Sequence, residues 1–295
     1  MKNKSPIILN CFSRGGSNIL WNFFLSHPYV LHPIEETIQI FNTTFRAPRF
    51  EGYKIVMMEN RFVFRQWEFK EISPVSIQTA RYIDKILFNK KMKNLQDSEM
   101  KYKTSSVKYS PSEIKNTRLV IKNNNGLVFC TNMFSKIYPD ASFIGLIRHP
   151  VPLFESHKRR KTPVSKSIET FVDYYEKIAK KIKSDQKIIS KYHIIKFEEL
   201  LYEPILSLEK LCSWTNLDFN MVEEIRLKAK PFMKDDGSHS TKFTKNKHYW
   251  FNFDDVFKIL EPKVNDFQSK QLSQKESQRI LDLTESIRED FGYSI

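Results

Sequence analysis

Apolar runs of strand length alternate along this chain with segments whose apolar residues recur at helical spacing. The run from Pro6 to Phe12 is followed by the turn Ser13-Arg-Gly-Gly-Ser17 and then by a second apolar segment from Asn18 to Leu25. This order predicts a strand, a tight loop and a buried helix. Further strands are predicted at Leu119 to Ile121, Ser142 to Ile147 and His193 to Phe197. Strands that alternate with helices indicate an α/β fold with a central parallel sheet flanked by helices.

Helical patterns are clearest in the second half of the chain. An apolar face recurs from Ile168 to Ile182, which is typical of an amphipathic helix that covers a sheet. From Ser273 a capping signal precedes another apolar face, and Gly292 marks the stop, so a terminal helix is predicted there. Between about residues 42 and 116 the pattern is irregular and partly rich in lysine, which predicts an insertion or lid.

The composition is that of a globular protein. The chain has 295 residues, of which 40% are hydrophobic and 14% aromatic, and α/β folds of this length commonly form one domain. Its apolar runs are too short for a membrane segment or a signal peptide. The three cysteines, Cys11, Cys130 and Cys212, lack the spacing of a disulfide framework or a zinc site. The sequence therefore predicts a cytoplasmic protein without an integral membrane segment.

A strong excess of positive charge indicates an anionic partner. Lysine and arginine number 48 against 34 aspartate and glutamate, for a formal charge of +14, which concentrates anions near the surface. A nucleotide, an acidic polymer, a nucleic acid or a membrane surface would each fit this charge. The sequence carries no zinc spacing, RNP-like aromatic motif or basic heptad region, so no nucleic-acid partner is predicted.

The turn after the first strand has the composition of an anion-binding loop. Between a strand and a helix, its backbone N–H groups would surround an anion at the positive end of the helix. Two glycines let the backbone approach closely, an arginine adds a planar charged fork, and two polar side chains can cap the helix or donate to phosphate oxygens. These candidate nucleotide-binding residues are Arg14, Gly15, Gly16, Ser17 and Asn18. A tight turn with a helix cap explains the same residues, whereas neither a Walker A loop nor a Cys-x5-Arg phosphatase loop can be written across this segment.

A second candidate anion site follows the predicted strand Ser142 to Ile147. That strand delivers Arg148 at its carboxyl end, the edge at which ligands bind in open α/β sheets. The next predicted helix carries Ser156. An arginine at the strand end and a hydroxyl two turns into the helix can hold one phosphate from two directions. A surface salt bridge and a solvated serine would give the same pattern.

Together the two sites resemble those of sulfotransferases that use 3′-phosphoadenosine 5′-phosphosulfate (PAPS). Residues 13–18 resemble the 5′-phosphosulfate loop, and Arg148 with Ser156 resembles the 3′-phosphate site. The resemblance continues through His27-Pro28, Tyr138 to Pro150, Lys196 to Leu200 with Pro204, and Phe291-Gly-Tyr293. The chain departs from the family at Gly15, where serine is usual, and at Asn18, where serine or threonine is usual. The resemblance implies one P-loop-like sulfotransferase domain over residues 1–295 that binds PAPS and releases 3′-phosphoadenosine 5′-phosphate (PAP).

The resemblance also implies catalytic roles. Arg14 would stabilise the charge that grows on the leaving phosphate oxygen, and Lys122 resembles a lysine that some family members place against the sulfate bridge. The segment Ile34-Glu-Glu-Thr37 resembles the Glu-Glu-Thr of tyrosylprotein sulfotransferases, and carbohydrate sulfotransferases also place a glutamate in this region. A glutamate is therefore expected to take the acceptor's proton, and Glu35 and Glu36 are both open for this role. A solvated lysine and a solvated acidic pair are the structural alternatives.

Late in the chain, the segment from Asp236 resembles the family's late nucleotide-binding loop, with Ser238 and Lys242 as candidate contacts. The predicted reaction is in-line transfer of the sulfuryl group from PAPS to an acceptor hydroxyl, without a metal ion. A carbohydrate is the first expected acceptor, peptide tyrosine the second and a small alcohol the third. The basic run from Lys158 to Lys161 would attract an anionic glycan or peptide, and a solvated helix end explains the same run. A kinase and a nucleotide-binding module without transferase activity remain the alternatives.

Overall fold

A parallel sheet forms the centre of the protein in a computed structural model, which describes residues 1–44, 49–93, 111–240 and 242–293. Its strand order is β2-β3-β1-β4-β5, and every neighbouring pair is parallel. The strands are β1 (Ile7–Cys11), β2 (Val30–Leu31), β3 (Arg118–Asn124), β4 (Ser142–Ile147) and β5 (Tyr192–Lys196). A separate antiparallel pair is formed by β6 (Ile225–Lys228) and β7 (His248–Phe251). The predicted α/β class with a central parallel sheet is confirmed.

Helices cover the sheet and connect its strands. In chain order they are α1 (Ser17–Ser26), α2 (Thr37–Phe41), α3 (Phe50–Glu59), α4 (Ile77–Lys93), α5 (Pro111–Asn116), α6 (Thr131–Ile137), α7 (Pro150–Arg159), α8 (Ile168–Ile188), α9 (Phe197–Tyr202), α10 (Pro204–Trp214), α11 (Val264–Ser269), α12 (Gln274–Leu283) and α13 (Glu285–Glu289). Right-handed crossovers between parallel strands require such intervening helices.

The central strand β1 is buried on both faces, as a parallel sheet between two helical layers requires. Ile8 faces a core that contains buried residues of α4 and α8. Its neighbours Ile7 and Leu9 face a second core, built with buried residues of α1, α10 and β6. Successive side chains of a strand point to opposite faces, so one apolar run supplies both cores.

The register of the sheet brings several loops to one edge. Cys11, the last residue of β1, lies opposite Asn124 of β3 and Leu146 of β4. Because these strands are parallel and in step, the chain leaves all three of them on the same side of the molecule. The candidate anion loop and Arg148 follow two of these strand ends. The topology therefore assembles the candidate site from segments that are distant in sequence.

The structure refines the expected elements. The strand predicted from Ser142 to Ile147 has those bounds, and the predicted tail helix starts with a capping box between Ser273 and Glu276. That tail is two helices rather than one, because α12 ends at Leu283 and α13 follows directly. Gly292 has a φ of 64° just beyond α13, the left-handed conformation that suits glycine at a helix end.

The region predicted as an insertion or lid contributes to the core where it is described. Ile55 of α3 and Ile83 and Leu87 of α4 are fully buried in the same cluster as Ile8 of the central strand. Residues 45–48 and 94–110, which include part of the predicted lysine-rich stretch, lie outside the described residues. A lid function for this region stays a prediction.

Candidate active site

The predicted anion loop connects β1 to α1 through a tight turn. Arg14 and Gly16 both have positive φ angles, 63° and 94°, and the Gly15 N–H donates to the Phe12 carbonyl oxygen at 3.2 Å. Helix α1 begins at Ser17, and the first N–H groups of a helix have no partner inside it. These donors and the positive helix end make the loop suitable for an anion.

Glycine is required at position 16 by both conformation and space. A Cβ atom added to Gly16 would lie 2.1 Å from the Phe197 ring, and the φ of 94° is one that residues with side chains rarely adopt. The ring of Phe197 also lies 4.4 Å from the Arg148 guanidinium, a cation–π contact. Phe197 therefore packs against both the loop and the second candidate anion site.

Asn125, which directly follows β3, holds the loop through its side chain. Its side-chain oxygen accepts hydrogen bonds from the Ser13 N–H at 2.9 Å and from the Tyr174 hydroxyl at 2.8 Å. From the other side, Nε2 of His157 donates to the Ser13 carbonyl oxygen at 3.0 Å. Burial lowers the pKa of His157 to about 3, so this ring is neutral at physiological pH. These contacts hold the loop between the segment that follows β3 and helix α7.

The two predicted anion sites meet. Arg148 follows β4 and is 3% exposed, and its Nη1 donates to the Arg14 carbonyl oxygen at 2.7 Å. Ser156 lies two turns into α7, and its hydroxyl accepts a hydrogen bond from Arg14 Nε at 3.2 Å. The Arg148 side chain is oriented further by Asn265 and Gln268 of α11. Loop, arginine and serine therefore line one site.

A cavity of about 510 Å³ opens at this place. Of the predicted nucleotide-binding residues, Arg14, Gly16, Ser17, Asn18, Arg148 and Ser156 line it. Five further cations line its wall: Lys228, Lys230, Lys245, Arg159 and Arg160. Sequence reasoning missed the three lysines, whereas the two arginines belong to a basic run that it interpreted as attracting an anionic acceptor or as a solvated helix end. The acidic residue on the wall is Glu261. The cavity is therefore strongly cationic.

Burial and mutual repulsion lower the pKa values of the basic side chains in the cavity. Burial lowers the pKa of Arg148 to about 10. Burial is the main cause that lowers the pKa of Arg14, and the positive charges of Arg160 and Arg159 lower it further. The pKa of Lys230 is lowered to about 8, mainly by burial and further by the positive charges of Lys122 and Arg14. A bound polyanion would reverse these shifts, because it stabilises the charged form of each group.

Lys122 and Glu36 form an ion pair beside the loop. Lys122 Nζ lies 2.8 Å from Glu36 Oε1 and donates to Asn18 Oδ1 at 2.7 Å. It also lies 4.4 Å from the centre of the Trp21 ring. The Lys122 side chain is 1% exposed, whereas that of Glu36 is 30% exposed. A buried cation is thus linked to a carboxylate that solvent and an acceptor can reach.

The neighbouring Glu35 has different partners. Its carboxylate lies 2.5 Å from Lys90 Nζ of α4 and 3.9 Å from Arg49, which precedes α3. The structure therefore separates the two candidate bases, with Glu36 directed to Lys122 and Glu35 directed to the region of α3 and α4. This arrangement favours Glu36 for chemistry at the loop.

The remaining predicted residues lie away from the cavity wall. Ser238 is exposed, in a turn where its N–H donates to Asp236 at 2.8 Å. Lys242 is also exposed, with its ammonium 5.7 Å from the Phe243 ring. Gly15 faces inward, where an added Cβ would lie 2.9 Å from the Phe12 Cβ. The assignment of Ser238 and Lys242 to the nucleotide stays a prediction.

Histidines near the site are structural. His149 caps α7 and packs edge-on against Tyr293, and burial lowers its pKa to about 4. His32 packs edge-on against Trp21. Within the described ranges, no group of three or more His, Cys, Asp or Glu side chains is placed to hold a metal ion. Among the same residues, no helix has the length and apolar character needed to cross a membrane.

Two solved structures have a similar fold. The structure resembles the sulfotransferase domain of the olefin synthase from Synechococcus PCC 7002, with a TM-score of 0.50 and 14% identity, over 100% of this chain and 97% of that one. A sulfotransferase domain from the curacin biosynthetic pathway gives a TM-score of 0.50 and 14% identity over 99% of each chain. At such low identity the likeness shows a shared fold.

Sequence comparison is more specific. No curated protein matches the chain significantly. A family model described as the sulfotransferase family matches residues 6–221, well over half of the chain, from β1 to beyond α10. The matched range contains the anion loop, Lys122, Arg148 and Ser156. The chain therefore belongs to the sulfotransferase family.

Proposed function

We propose that the protein, as one domain over residues 1–295, transfers the sulfuryl group of PAPS to a hydroxyl of a carbohydrate acceptor. Its family is that of sulfotransferases, and the nucleotide, the acceptor and the residue roles are what we infer. One observation carries the proposal: Arg148 donates to the Arg14 carbonyl oxygen at 2.7 Å, while Arg14 donates to Ser156 at 3.2 Å. Two separate phosphate-binding elements therefore share one cavity.

The charges of the cavity support a nucleotide with phosphates at both ends. The N–H groups at the start of α1, with Arg14, suit the 5′-phosphosulfate, since a helix start favours an anion. Arg148 and Ser156 suit the 3′-phosphate, and Lys228 and Lys230 add charge to the wall of the same cavity. Repulsion among buried cations is relieved by a polyanion. PAPS has this charge pattern, and PAP retains most of it.

The chemistry requires a base, a cation at the leaving oxygen and in-line geometry. The acceptor hydroxyl gives its proton to Glu36 while its oxygen forms a bond to sulfur. The bond between sulfur and the bridging phosphate oxygen breaks, and that oxygen keeps the electron pair, which Arg14 and Lys122 stabilise. The Glu36 side chain is 30% exposed and is therefore accessible to an acceptor. Glu35, held by Lys90, is placed less well for this step.

The charge near the cavity supports an anionic acceptor. Arg159 and Arg160 lie on the cavity wall at the end of α7 and would attract an anionic glycan or peptide. The Glu35-Glu36-Thr37 segment is compatible with a tyrosine acceptor as well. Cys11, Cys130 and Cys212 are buried free thiols, which is consistent with a cytoplasmic enzyme.

The test combines nucleotide binding with a survey of acceptors. Calorimetry with PAP should detect binding, and 35S-labelled PAPS should label a glycan more efficiently than tyrosine peptides or small phenols. Arg14→Ala should lower the transfer rate by about 10²- to 10³-fold, as loss of one transition-state donor does elsewhere. Arg279→Ala, at a residue 53% exposed, is the matched control and should leave the rate unchanged. Absence of PAP binding, or activity with ATP and Mg²⁺ instead of PAPS, would refute the proposal.

A further inference from the structure

Asn18 makes a contact that a phosphate ligand does not require. Its side-chain oxygen accepts a hydrogen bond from Lys122 Nζ at 2.7 Å, while the same ammonium is paired with Glu36 at 2.8 Å. The backbone oxygen of Asn18 accepts from Asn22 Nδ2 at 2.7 Å, one turn further along α1. Asn18 thus connects the anion loop to the buried Lys122, and Lys122 connects it to Glu36.

An amide suits this position for two reasons. The carboxamide of asparagine extends one bond further from the backbone than the hydroxyl of serine or threonine, so its oxygen reaches deeper. It is also neutral, so it fixes the Lys122 ammonium without cancelling its charge, which a carboxylate would do. Trp21 covers another side of the same ammonium, with its ring centre at 4.4 Å. Lys122 is therefore held in one place by two uncharged groups and one charged group.

From this arrangement we infer that Asn18 is a positioning residue, which holds Lys122 in place while the charge of Glu36 changes during transfer. The inference rests on the proposed function. Before reaction the Glu36 carboxylate balances Lys122. When Glu36 takes the proton of the acceptor hydroxyl, its negative charge is lost, just as negative charge grows on the oxygen that leaves sulfur. The charge of Lys122 then becomes available to that oxygen, and Asn18 keeps its Nζ at the required position.

Two variants of opposite character test this role. Asn18→Thr introduces the usual residue of the family and removes the contact, whereas Asn18→Asp replaces it with a charged partner. Loss of an acceptor from a buried ammonium favours its neutral form, so Asn18→Thr should lower the pKa of Lys122, and Asn18→Asp should raise it. The other charged or titratable groups that face Lys122 are Glu36, Cys11, Lys228 and Lys230.

The measurement is NMR of the protein labelled with 13C at the lysine Cε, with the Lys122 signal assigned by Lys122→Met. Lys91, also buried, is an internal control, because its ammonium binds the backbone oxygens of Thr117 and Lys115 and should titrate unchanged. In parallel, both Asn18 variants should lower kcat by about tenfold or more, as expected when a charge-assisted hydrogen bond is lost or its charge cancelled. Affinity for PAP should change by less than about threefold in Asn18→Thr.

Each outcome decides a separate question. An unchanged Lys122 titration in both variants would overturn the inference. So would a large loss of PAP affinity in Asn18→Thr, which would make Asn18 a direct nucleotide ligand. If the wild-type protein bound no PAP and transferred nothing, the proposed function would fail, yet the Lys122 titration would still show whether Asn18 holds this lysine.

Discussion

Two buried lysines show how similar environments can serve different purposes. Lys122 is 2% exposed and Lys91 is 1% exposed, and each lies over an aromatic ring, that of Trp21 at 4.4 Å and that of Phe88 at 5.2 Å. Burial lowers the pKa of both. Their partners differ, since Lys91 donates to backbone carbonyls, whereas Lys122 is paired with a carboxylate.

The difference lies in whether the partner can change its charge. A backbone carbonyl keeps its dipole at every pH, so the hydrogen-bond partners of Lys91 do not change charge, although the nearby Asp84 also acts on its ammonium. The Glu36 carboxylate can take up a proton, so the net charge around Lys122 can change by one unit during a reaction. A buried cation is therefore weak evidence of function by itself, and the chemistry of its partner is the more informative observation.

The largest effect is expected when the carboxylate is removed from Lys122. Glu36→Gln keeps the size of the side chain and loses the base, so kcat should fall by about 10²- to 10⁴-fold. The matched variant Glu35→Gln loses only contacts to Lys90 and Arg49 at the surface, and its kcat should change by less than about fivefold. Steady-state rates with labelled PAPS measure both. Equal losses in the two variants would remove the distinction between the glutamates.

Replacing the cation itself should have the next largest effect on turnover. Lys122→Met keeps an unbranched side chain over Trp21 and removes the charge, so kcat should fall by about 10²-fold or more through loss of one transition-state donor. Because the two arginines and the loop remain, affinity for PAP should change much less than kcat. Calorimetry and rate measurements on the same preparation separate these quantities. A variant that fails to bind PAP but turns over normally at saturation would contradict this role.

At the second lysine the effect should appear in stability. Lys91→Met removes the ammonium that donates to the carbonyl oxygens of Thr117, a buried residue, and Lys115, an exposed one, which should lower the free energy of unfolding by about 1–3 kcal/mol. Lys91 lies outside the proposed site, so kcat should stay within about twofold of wild type. Urea unfolding and the transfer assay give the two values. If Lys91→Met kept normal stability and lost activity, Lys91 would have a functional role and not a structural one.

The last effect concerns the pH dependence of stability and leaves activity unchanged. Burial lowers the pKa of Lys91 from 10.5 to about 8, so between these values the unfolded chain binds more protons at this lysine than the folded protein does. The free energy of unfolding should therefore rise with pH over that interval. Below the folded-state pKa the cost of burying the charged lysine applies in full. The wild type should gain stability relative to Lys91→Met as pH rises from 8 to 10.5. A constant difference in urea unfolding across this range would exclude the shift.

Much of the fold could be predicted because its signals are local. The strand Ser142–Ile147 and the start of α12 depend on a short apolar run and a capping box, which neighbouring residues determine. The two-residue strand β2 is too short to leave a period-two pattern. The pair β6 and β7 was also not predicted, because its strands have four residues each and polar residues occupy part of both.

The candidate site was predictable where one segment carries the chemistry. Arg14 lies in a Gly-Gly turn after a strand, and Arg148 with Ser156 lies on one strand–helix connection. By contrast, the choice between Glu35 and Glu36 depends on Lys90 and Lys122, whose positions are set by packing between distant segments. The lysines that β6 brings to the cavity depend on the packing of that strand against α1, which no local pattern encodes.

The ring of Phe197 packs against Gly16 of the loop and against Arg148 of the second candidate anion site. A methyl group introduced at position 16 would clash with this ring, so a change in the loop would also disturb the packing around Arg148. A smaller residue at position 197 would relieve this clash but not the strain of the positive φ at position 16. Homologous chains that keep this turn should therefore keep glycine at position 16 even where position 197 is smaller.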